Sequence, residues 1–260
     1  SGLSFGDAGK AIVVEEMLHG TEVSFFVLSD GNRTVELATC QDYKRALDGD
    51  RGPNTGGMGT YSPSAFMDDS VRKNVRDTIV NPTMAGLQEE GSPYHGVLFI
   101  GIMLTADGPK VLEYNCRFGD PETQVLLPRL DGDWFELLLA SATGRLDQVR
   151  PSWRPRATVC VVMAAGGYPG SYEKGALISG LDRLEGRDDI VVFHAGTTRD
   201  DRGAVRTNGG RVLGVTALGK DLPAARSRAY EAIAEIHWEN EQHRTDIGAD
   251  ATATLEKTCE

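Results

Sequence analysis

Residues 111–124 read VLEYNCRFGDPETQ. The first part has the apolar content of a strand, and in a strand alternate side chains leave by the same face. Glu113 and Asn115 therefore project together, and Arg117 continues the row if the strand persists. Two oxygen donors beside a guanidinium suit a hard cation such as Mg²⁺, which keeps waters and takes one or two protein oxygens together with nucleotide phosphates. An adjacent arginine stabilises charge on a phosphoryl group or a carboxylate. By itself E-x-N-x-R is also compatible with a hairpin end whose polar groups merely meet water. The residues that follow favour a site. Gly119-Asp120-Pro121 is a turn running into a helix, so first-turn amides and Asp120 can orient an anionic group or Arg117. The same pattern makes Asp120 a helix N-cap with Pro121 at the first helical position.

Immediately upstream, HGVLFIGIMLT (95–105) and PKVLEYNCRF (109–118) flank the turn Ala106-Asp107-Gly108 and predict an antiparallel hairpin. Val71, Val75, Ile79 and Leu87 place an apolar stripe on a helix from about Asp69 to Glu90. Downstream, ETQVLLPRL and WFELLLASATG read as helical, with Gly144 as a stop. Nearer the start, AIVVEEML, TEVSFFVLSD and TVELATCQ predict strands around the turn at 30–33. QVRPSWRPR (148–156) lacks periodicity and marks a boundary. Beyond it, ATVCVVMAAGG, IVVFHAG, RVLGVTALG and a helix from about Leu222 to Ile236 predict a small α+β unit.

Other segments offer chemistry and a plainer alternative. DGDRGPNTGGMGTYSPS (48–64) is too rich in glycine and proline for regular structure and reads as a long loop. Its Gly49, Gly52, Gly56, Gly57 and Gly59 let backbone amides approach a ligand, although no GK[ST] follows, and its length favours a binding loop over a plain surface loop. Glu15 and Glu16 stand where a strand gives way to a linker, and Glu22 opens the next strand. One of them can hold ribose hydroxyls while linker backbone reads adenine, or all can be surface acids. Lys44 and Arg45 can meet phosphate or carboxylate, or remain solvated. The five histidines are scattered and no nucleophile elbow is present, which argues against triad catalysis. AAGGYPG and TNGGRV lack the G-x-G-x-x-G spacing and read as turns able to reach across a cleft.

With 260 residues, 40% of them hydrophobic, the chain can bury one large core or two modest ones. A formal charge of -11 disfavours nucleic acid as a partner, while leaving room for nucleotides bound through local groups and Mg²⁺. Cys40, Cys116, Cys160 and Cys259 are widely separated and read as reduced thiols. No run approaches the roughly 20 apolar residues of a membrane helix, and SGLSFGDAGK lacks the layout of a secretory signal. The expectation is a cytoplasmic location, or a leader already removed, and no membrane partner.

IVVEEMLHGTEVSFFVL, ATCQDYKR, GPNTGGMGTYSP, VLEYNCRFGDPETQ, AAGGYPG, FHAGT, TNGGRVLGVTALG and RTDIG occur in the order they take in glycinamide ribonucleotide synthetases, and the chain resembles that family from about Phe5 to Gly248. RFGDPETQ and GPNTGGMG are specific to the family; the E-x-N-x-R strand is shared among ATP-grasp ligases. The resemblance implies an α/β (α+β) fold. Residues 1–150 would be a partial ATP-grasp domain with antiparallel sheet and flanking helices, and residues 151–260 a small α+β carboxyl-terminal domain. It further implies a reaction in which ATP phosphorylates glycine and the amine of 5-phosphoribosylamine displaces phosphate from the glycyl phosphate. Such catalysis works by positioning and charge neutralisation, without a protein nucleophile.

By the same resemblance Glu113 and Asn115 hold Mg²⁺ or Mn²⁺, and Arg117 and Asp120 act in catalysis. Glu15, Glu16, Leu18, Glu22 and Lys44 bind ATP. Asp42, Asn54, Thr55, Gly56, Gly57, Met58, Glu122 and Thr123 bind the other substrates. Three departures stand out. The strand before E-x-N carries LFIGIML without the acid that many ATP-grasp ligases place there. QDYKR has Tyr43 where family members commonly have histidine. The amino-terminal domain and the ATP lysine of the family are not in the sequence, so a fragment is expected that turns over poorly alone and whose partner is the missing part of its polypeptide. The competing expectations are another carboxylate–amine ligase, a biotin-dependent carboxylase, or a non-catalytic nucleotide-binding or assembly module.

Overall fold

Strand β1, Thr21–Asp30, is apolar on both faces and needs cover on both. The computed structural model describes residues 10–249 together with Asp7 and Ala251. Cys259 and the start of the resemblance at Phe5 lie outside the described residues. β1 pairs antiparallel with β7, His95–Thr105, along its whole length, from Thr21 opposite Leu104 to Asp30 opposite His95. β2 (Thr34–Glu36) and β8 (Gly108–Asn115) complete a four-stranded antiparallel sheet in the order β2-β1-β7-β8. Both expected hairpins are present.

Val23, Phe25 and Val27 meet Leu98, Ile100 and Ile102 on one face, where the helical segment predicted at 69–90 buries Val75, Ile79 and Val80. It runs as α1 (Asp69–Val75), a π turn (Arg76–Val80) and α2 (Asn81–Glu89). Asp68 caps α1, its carboxylate accepting from Val71 N at 2.8 Å. The π turn stands just before Pro82, which has no N–H to continue the α ladder, and Asn81 N–H reaches back to the Arg76 carbonyl. On the other face Phe26, Leu28, Val97 and Phe99 pack with Leu137 and Ala140 of α4, Trp134–Ala142, and with Val125 and Leu126 of α3, Thr123–Leu126. α4 ends at Gly144, whose φ of 70° is the left-handed turn the sequence anticipates.

A second sheet has the order β10-β13-β9-β6-β3, with β14 (Glu241–Gln242) also on β9. Its central strand β9, Ala157–Ala165, is buried throughout. β13 (Arg211–Gly219) and β10 (Ile190–His194) lie to one side of it, and β6 (Gly59–Ser62) and β3 (Gln41–Asp42) to the other. Helix α5, Leu222–Ile233, lays Ala225, Ala229, Ala232 and Ile233 on this sheet. Strands from both sides of the 148–156 segment thus share one sheet. A β11–β12 ribbon, Thr197–Arg199 with Val205–Thr207, lies apart from both sheets.

Two expectations are corrected. Residues 48–64 are not one irregular loop: β4 (Arg45–Leu47) and β5 (Arg51–Asn54) form a hairpin, and β6 follows, fully buried. Gly49 and Asp50 take φ of 68° and 54° in the turn between them, which glycine and aspartate tolerate, and β3 and β9 supply the ladder bonds that β6 needs. AIVVEEML forms no strand; Ile12, Val13, Val14 and Met17 are 80–85% exposed and pair with no strand among the described residues. A β-prone sequence without a neighbouring ladder has nowhere to place its N–H and C=O groups except in water.

The RTDIG segment fastens the β4–β5 hairpin. Arg244, 2% exposed, donates from Nε and Nη2 to the two Asp246 oxygens at 2.7 Å each and from Nη1 to Arg45 O at 3.0 Å. Its guanidinium lies 4.9 Å from the centre of the Tyr43 ring, and the Tyr43 hydroxyl accepts from Gly248 N at 2.9 Å. Burial opposes ionisation of Asp246, but Arg244 and the Gly49 N–H outweigh it and bring its pKa down to about 2. A carboxylate depressed in this way contributes stability that is complete above the ordinary value of about 4 and is lost as pH falls through about 2. Arg244→Met should therefore cost about 3 kcal/mol in urea unfolding at pH 7, the cost of leaving one member of a largely buried pair alone. It should also flatten the stability loss between about pH 4 and pH 2 that the parent shows.

Candidate active site

The register of β8 determines where its polar end points. Val111 lies opposite Ile102, yet Glu113 lies opposite Gly101, so Leu112 is an extra residue in the ladder. Ile102 and Val111 belong to the helix-covered face. A regular strand would have sent Glu113 and Asn115 to that face as well. The bulge turns them to the other, beside Gly101 and Phe99, while Tyr114 points at the helices and its hydroxyl meets Thr83 Oγ1 at 2.8 Å. A Cβ on Gly101 would stand 3.2 Å from Glu113 Cγ, so the glycine gives this carboxylate its place.

Glu22 and Ser24 of β1 share that face, since Ser24 is opposite Gly101. Glu22 forms a close ion pair with Lys44. Burial weakens the Lys44 ammonium, but the hydrogen bond and charge of Glu22 prevail, followed by the charges of Asp42 and Glu113, and its pKa lies above the ordinary value. Ser24 Oγ donates to Glu122 Oε1 at 3.1 Å. Asp42 Oδ1 is buried with no hydrogen-bond partner among the described residues. Burial, then the charge of Glu122, raises the Asp42 carboxyl well above the usual range, and burial raises Glu122 too. Gly20, Glu22, Asp42, Lys44 and Asn54 line a cleft of about 760 Å³.

The glycine-rich segment closes over this group. Gly57, with φ 110°, is so near its neighbours that a Cβ would come within 2.4 Å of Pro121 Cδ and 2.8 Å of Asp42 Oδ1. Thr55 N and Oγ1 donate to Lys44 O at 2.7 and 2.9 Å. Met58 is fully buried and fastens the segment to its supports, with N–H to Tyr43 O at 2.8 Å and C=O from Val162 N at 3.0 Å. Two groups from the carboxyl-terminal side reach in, as AAGGYPG and TNGGRV suggested. The Tyr168 hydroxyl accepts from Gly56 N at 3.2 Å. Arg211 Nη1 donates to Gly56 O and, at 2.8 Å, to Asp120 O. Arg211 is the residue that sequence reasoning missed; its place in TNGGRV was the available signal.

The 117–124 segment differs from expectation. β8 stops at Asn115, and Arg117, exposed, donates from Nη1 to Phe118 O at 2.8 Å, outside the strand row. The helix begins at Thr123, so neither Asp120 nor Pro121 opens it, and the Asp120–Pro121 bond is cis. The first-turn amides are used internally: Thr123 N bonds Gly119 O, Gln124 N bonds Pro121 O, and Val125 N and Leu126 N share Glu122 O. Asp120 instead accepts from Gln124 Nε2 at 3.1 Å and faces Arg211 at 3.4 Å. Thr123 Oγ1 bonds the Gly119 carbonyl. Glu15, Glu16 and Leu18 stand on the unpaired stretch before β1, where Glu16 meets Lys110 Nζ at 2.9 Å.

No group of three or more His, Cys, Asp or Glu side chains suited to a metal occurs among the described residues. Glu113 and Asn115 do fit a cation that draws most of its ligands from phosphate and water: both donors are oxygens on one face, and neither side chain is hydrogen-bonded among the described residues.

Family models described as the ATP-grasp (A) domain and the C domain of phosphoribosylglycinamide synthetase match residues 1–123 and 158–250. The chain belongs to this family. It is 49% identical over 254 residues to phosphoribosylamine–glycine ligase of Vibrio parahaemolyticus, covering 97% of this chain and 59% of that protein. With the Caulobacter vibrioides enzyme of the same name it shares 51% over 245 residues, 94% of this chain and 57% of the relative. The chain thus spans less than two thirds of the length of these relatives. The crystal structure of phosphoribosylamine–glycine ligase from Thermotoga maritima superimposes with a TM-score of 0.81 at 37% identity, over 90% of this chain and 57% of that one. The biotin carboxylase domain of a 2-oxoglutarate carboxylase, at a TM-score of 0.60 and 16% identity over 85% of this chain and 48% of that one, shares the fold.

Two variants test the geometry. Gly57→Ala should destabilise the fold by about 2 kcal/mol in urea unfolding, because the methyl meets Pro121 and Asp42 at a positive φ. Since the Asp42 pKa is raised, folding takes up a proton there, and stability falls as pH rises from about 4 through the raised folded value. Asp42→Asn should remove that fall and leave the protein more stable than the parent at pH 7, as followed by urea titrations across pH.

Proposed function

We propose that the polypeptide carrying this chain is an ATP-dependent carboxylate–amine ligase that joins glycine to 5-phosphoribosylamine, with release of ADP and phosphate, through a glycyl phosphate. The observation that carries this reading is the bulge that turns Glu113 and Asn115 to the sheet face of Glu22, the partner of Lys44, while Gly57 of the glycine-rich segment abuts Pro121. Family membership supports it.

In this reading Glu113 and Asn115 hold Mg²⁺ or Mn²⁺, which supplies charge neutralisation on the nucleotide phosphates. Lys44, kept protonated by Glu22, faces the same phosphates. Glu15, Glu16, Leu18 and Glu22 bind the nucleoside end of ATP. Asp42, Asn54, Thr55, Gly56, Gly57, Met58, Glu122 and Thr123 form or support the surface for glycine and the amine. Asp42 and Glu122, held toward their neutral forms by burial, offer polar oxygens and a proton-accepting or proton-donating carboxyl where the amine is received. Arg117 stabilises the charge of the transferring phosphoryl group, and Asp120 orients the turn that carries it. No side chain forms a covalent bond to substrate; these residues position reactants and neutralise charge.

The proposal includes a division near residue 150 into an ATP-grasp part and a smaller carboxyl-terminal part, supported by the separate family matches on either side. It includes action in the cytoplasm, supported by free Cys40, Cys116 and Cys160. No helix among the described residues is long and apolar enough to cross a membrane.

The test is ADP release by the purified product of the complete reading frame. Release that requires both glycine and 5-phosphoribosylamine is expected; release indifferent to glycine, or driven by bicarbonate, overturns the reading. Glu113→Gln and Arg117→Met should each lower kcat by about 10²-fold, the scale for loss of one preorganised charge-stabilising group.

A further inference from the structure

We infer that Arg211 is a positioning residue for the proposed reaction: from the first residue of β13 it gathers the carbonyl oxygens of Gly56, Gly57 and Asp120 on one nitrogen and so sets the glycine-rich segment against the turn that follows Arg117. This rests on the ligase reading above.

Arg211 Nη1 has two hydrogens and faces the Gly56 and Asp120 carbonyls, with Gly57 O and Asp120 Oδ1 each at 3.4 Å. These are charge-assisted contacts to backbone, so they constrain where the chain lies and carry little information about side chains. The guanidinium lies against Gly56 so closely that a Cβ there would stand 3.0 Å from Cζ and 3.1 Å from Nη2. A side chain at 56 would therefore push the Arg211 guanidinium aside by a few tenths of an ångström.

The neighbouring residues are held from the other side. Thr55 and Met58 are bonded to Lys44 and Tyr43, next to β3. The Gly56 peptide groups have both their partners on the carboxyl-terminal side: N–H to Tyr168, C=O to Arg211. The two-glycine step is thus the part of the segment whose position is read from β13 and the AAGGYPG turn. Through Gly57, which touches Pro121 and faces Asp42 Oδ1, any shift of that step reaches the cleft.

The consequence is a separation between stability and turnover. The Arg211 side chain is about one-fifth exposed at a sheet end, outside the buried clusters, so its loss spares the cores. Loss of the clamp lets Gly56 and Gly57 move by the fraction of an ångström that positional catalysis does not tolerate.

The experiment uses the complete polypeptide with Arg211→Ala and Arg211→Lys. The expected result is a thermal midpoint close to the parent's and faster amide hydrogen exchange at residues 55–58 and 119–122. In Arg211→Ala, kcat for glycine-dependent ADP release should fall about 10²-fold with the KM for ATP little changed, and added guanidinium ion should restore part of it. Arg211→Lys, which keeps the charge and loses the planar fork, should lie between the two. Parent-like exchange and kcat in Arg211→Ala overturn the inference, as does a fall in kcat that guanidinium leaves untouched while exchange in these segments stays slow. If Arg211→Ala does not fold, Arg211→Lys decides by the same exchange and kcat readings. Absence of glycine-dependent ADP release in the parent refutes the ligase reading, while the exchange comparison still tests the clamp.

Discussion

A single extra residue in an antiparallel ladder, Leu112, separates a strand that would bury a glutamate against helices from one that turns it to the opposite sheet face, which Glu22 and Ser24 share. Side chains alternate along a strand, so every residue after the irregularity changes face. Ile102 and Val111 fill the helix-covered core, Glu113 and Asn115 face the opposite way, and Gly101 leaves space for the carboxylate between them. The strands that support this ladder are among the most apolar in the chain. Their burial on both sides makes the register costly to slip, and so fixes the polar pair.

Around this pair the charges are arranged in opposition. Lys44 remains cationic within a largely acidic group because Glu22 bonds it directly and Asp42 and Glu113 add their fields. Asp42 and Glu122 meet the reverse condition: burial first, then the charge of Glu122 on Asp42 and of Asp120 on Glu122, favour their neutral forms, and Asp42 keeps an oxygen with no partner among the described residues. Such an arrangement costs stability, since buried like charges must be neutralised or compensated.

The second sheet serves the first as a brace. β9 takes β6 on one edge and β13 on the other, and the two strands deliver opposite sides of the glycine-rich segment: Met58 from one, Arg211 from the other. RTDIG performs a similar task for the β4–β5 hairpin through the Arg244–Asp246 pair and the Asp48 carboxylate that accepts from Thr245 N at 2.8 Å. Segments almost two hundred residues apart in sequence are thereby joined by charge-assisted bonds rather than by apolar area alone.

Much of this was legible in the sequence where periodicity and turn chemistry are local properties. The β7–β8 hairpin, the helical stretch at 69–89, the stop at Gly144, the long apolar strand at 157–165 and the polar row Glu113 and Asn115 all follow from residue spacing. Only the tertiary structure decided the rest. The four residues 59–62, at the end of a glycine- and proline-rich stretch, become a strand because β3 and β9 supply their hydrogen bonds; AIVVEEML is strand-prone and lacks the neighbour. The face to which Glu113 points, the departure of Arg117 from the strand and the place of Arg211 depend on partners far along the chain. Local sequence determines what a segment is able to form, and the long-range ladder determines which of those forms satisfies its backbone.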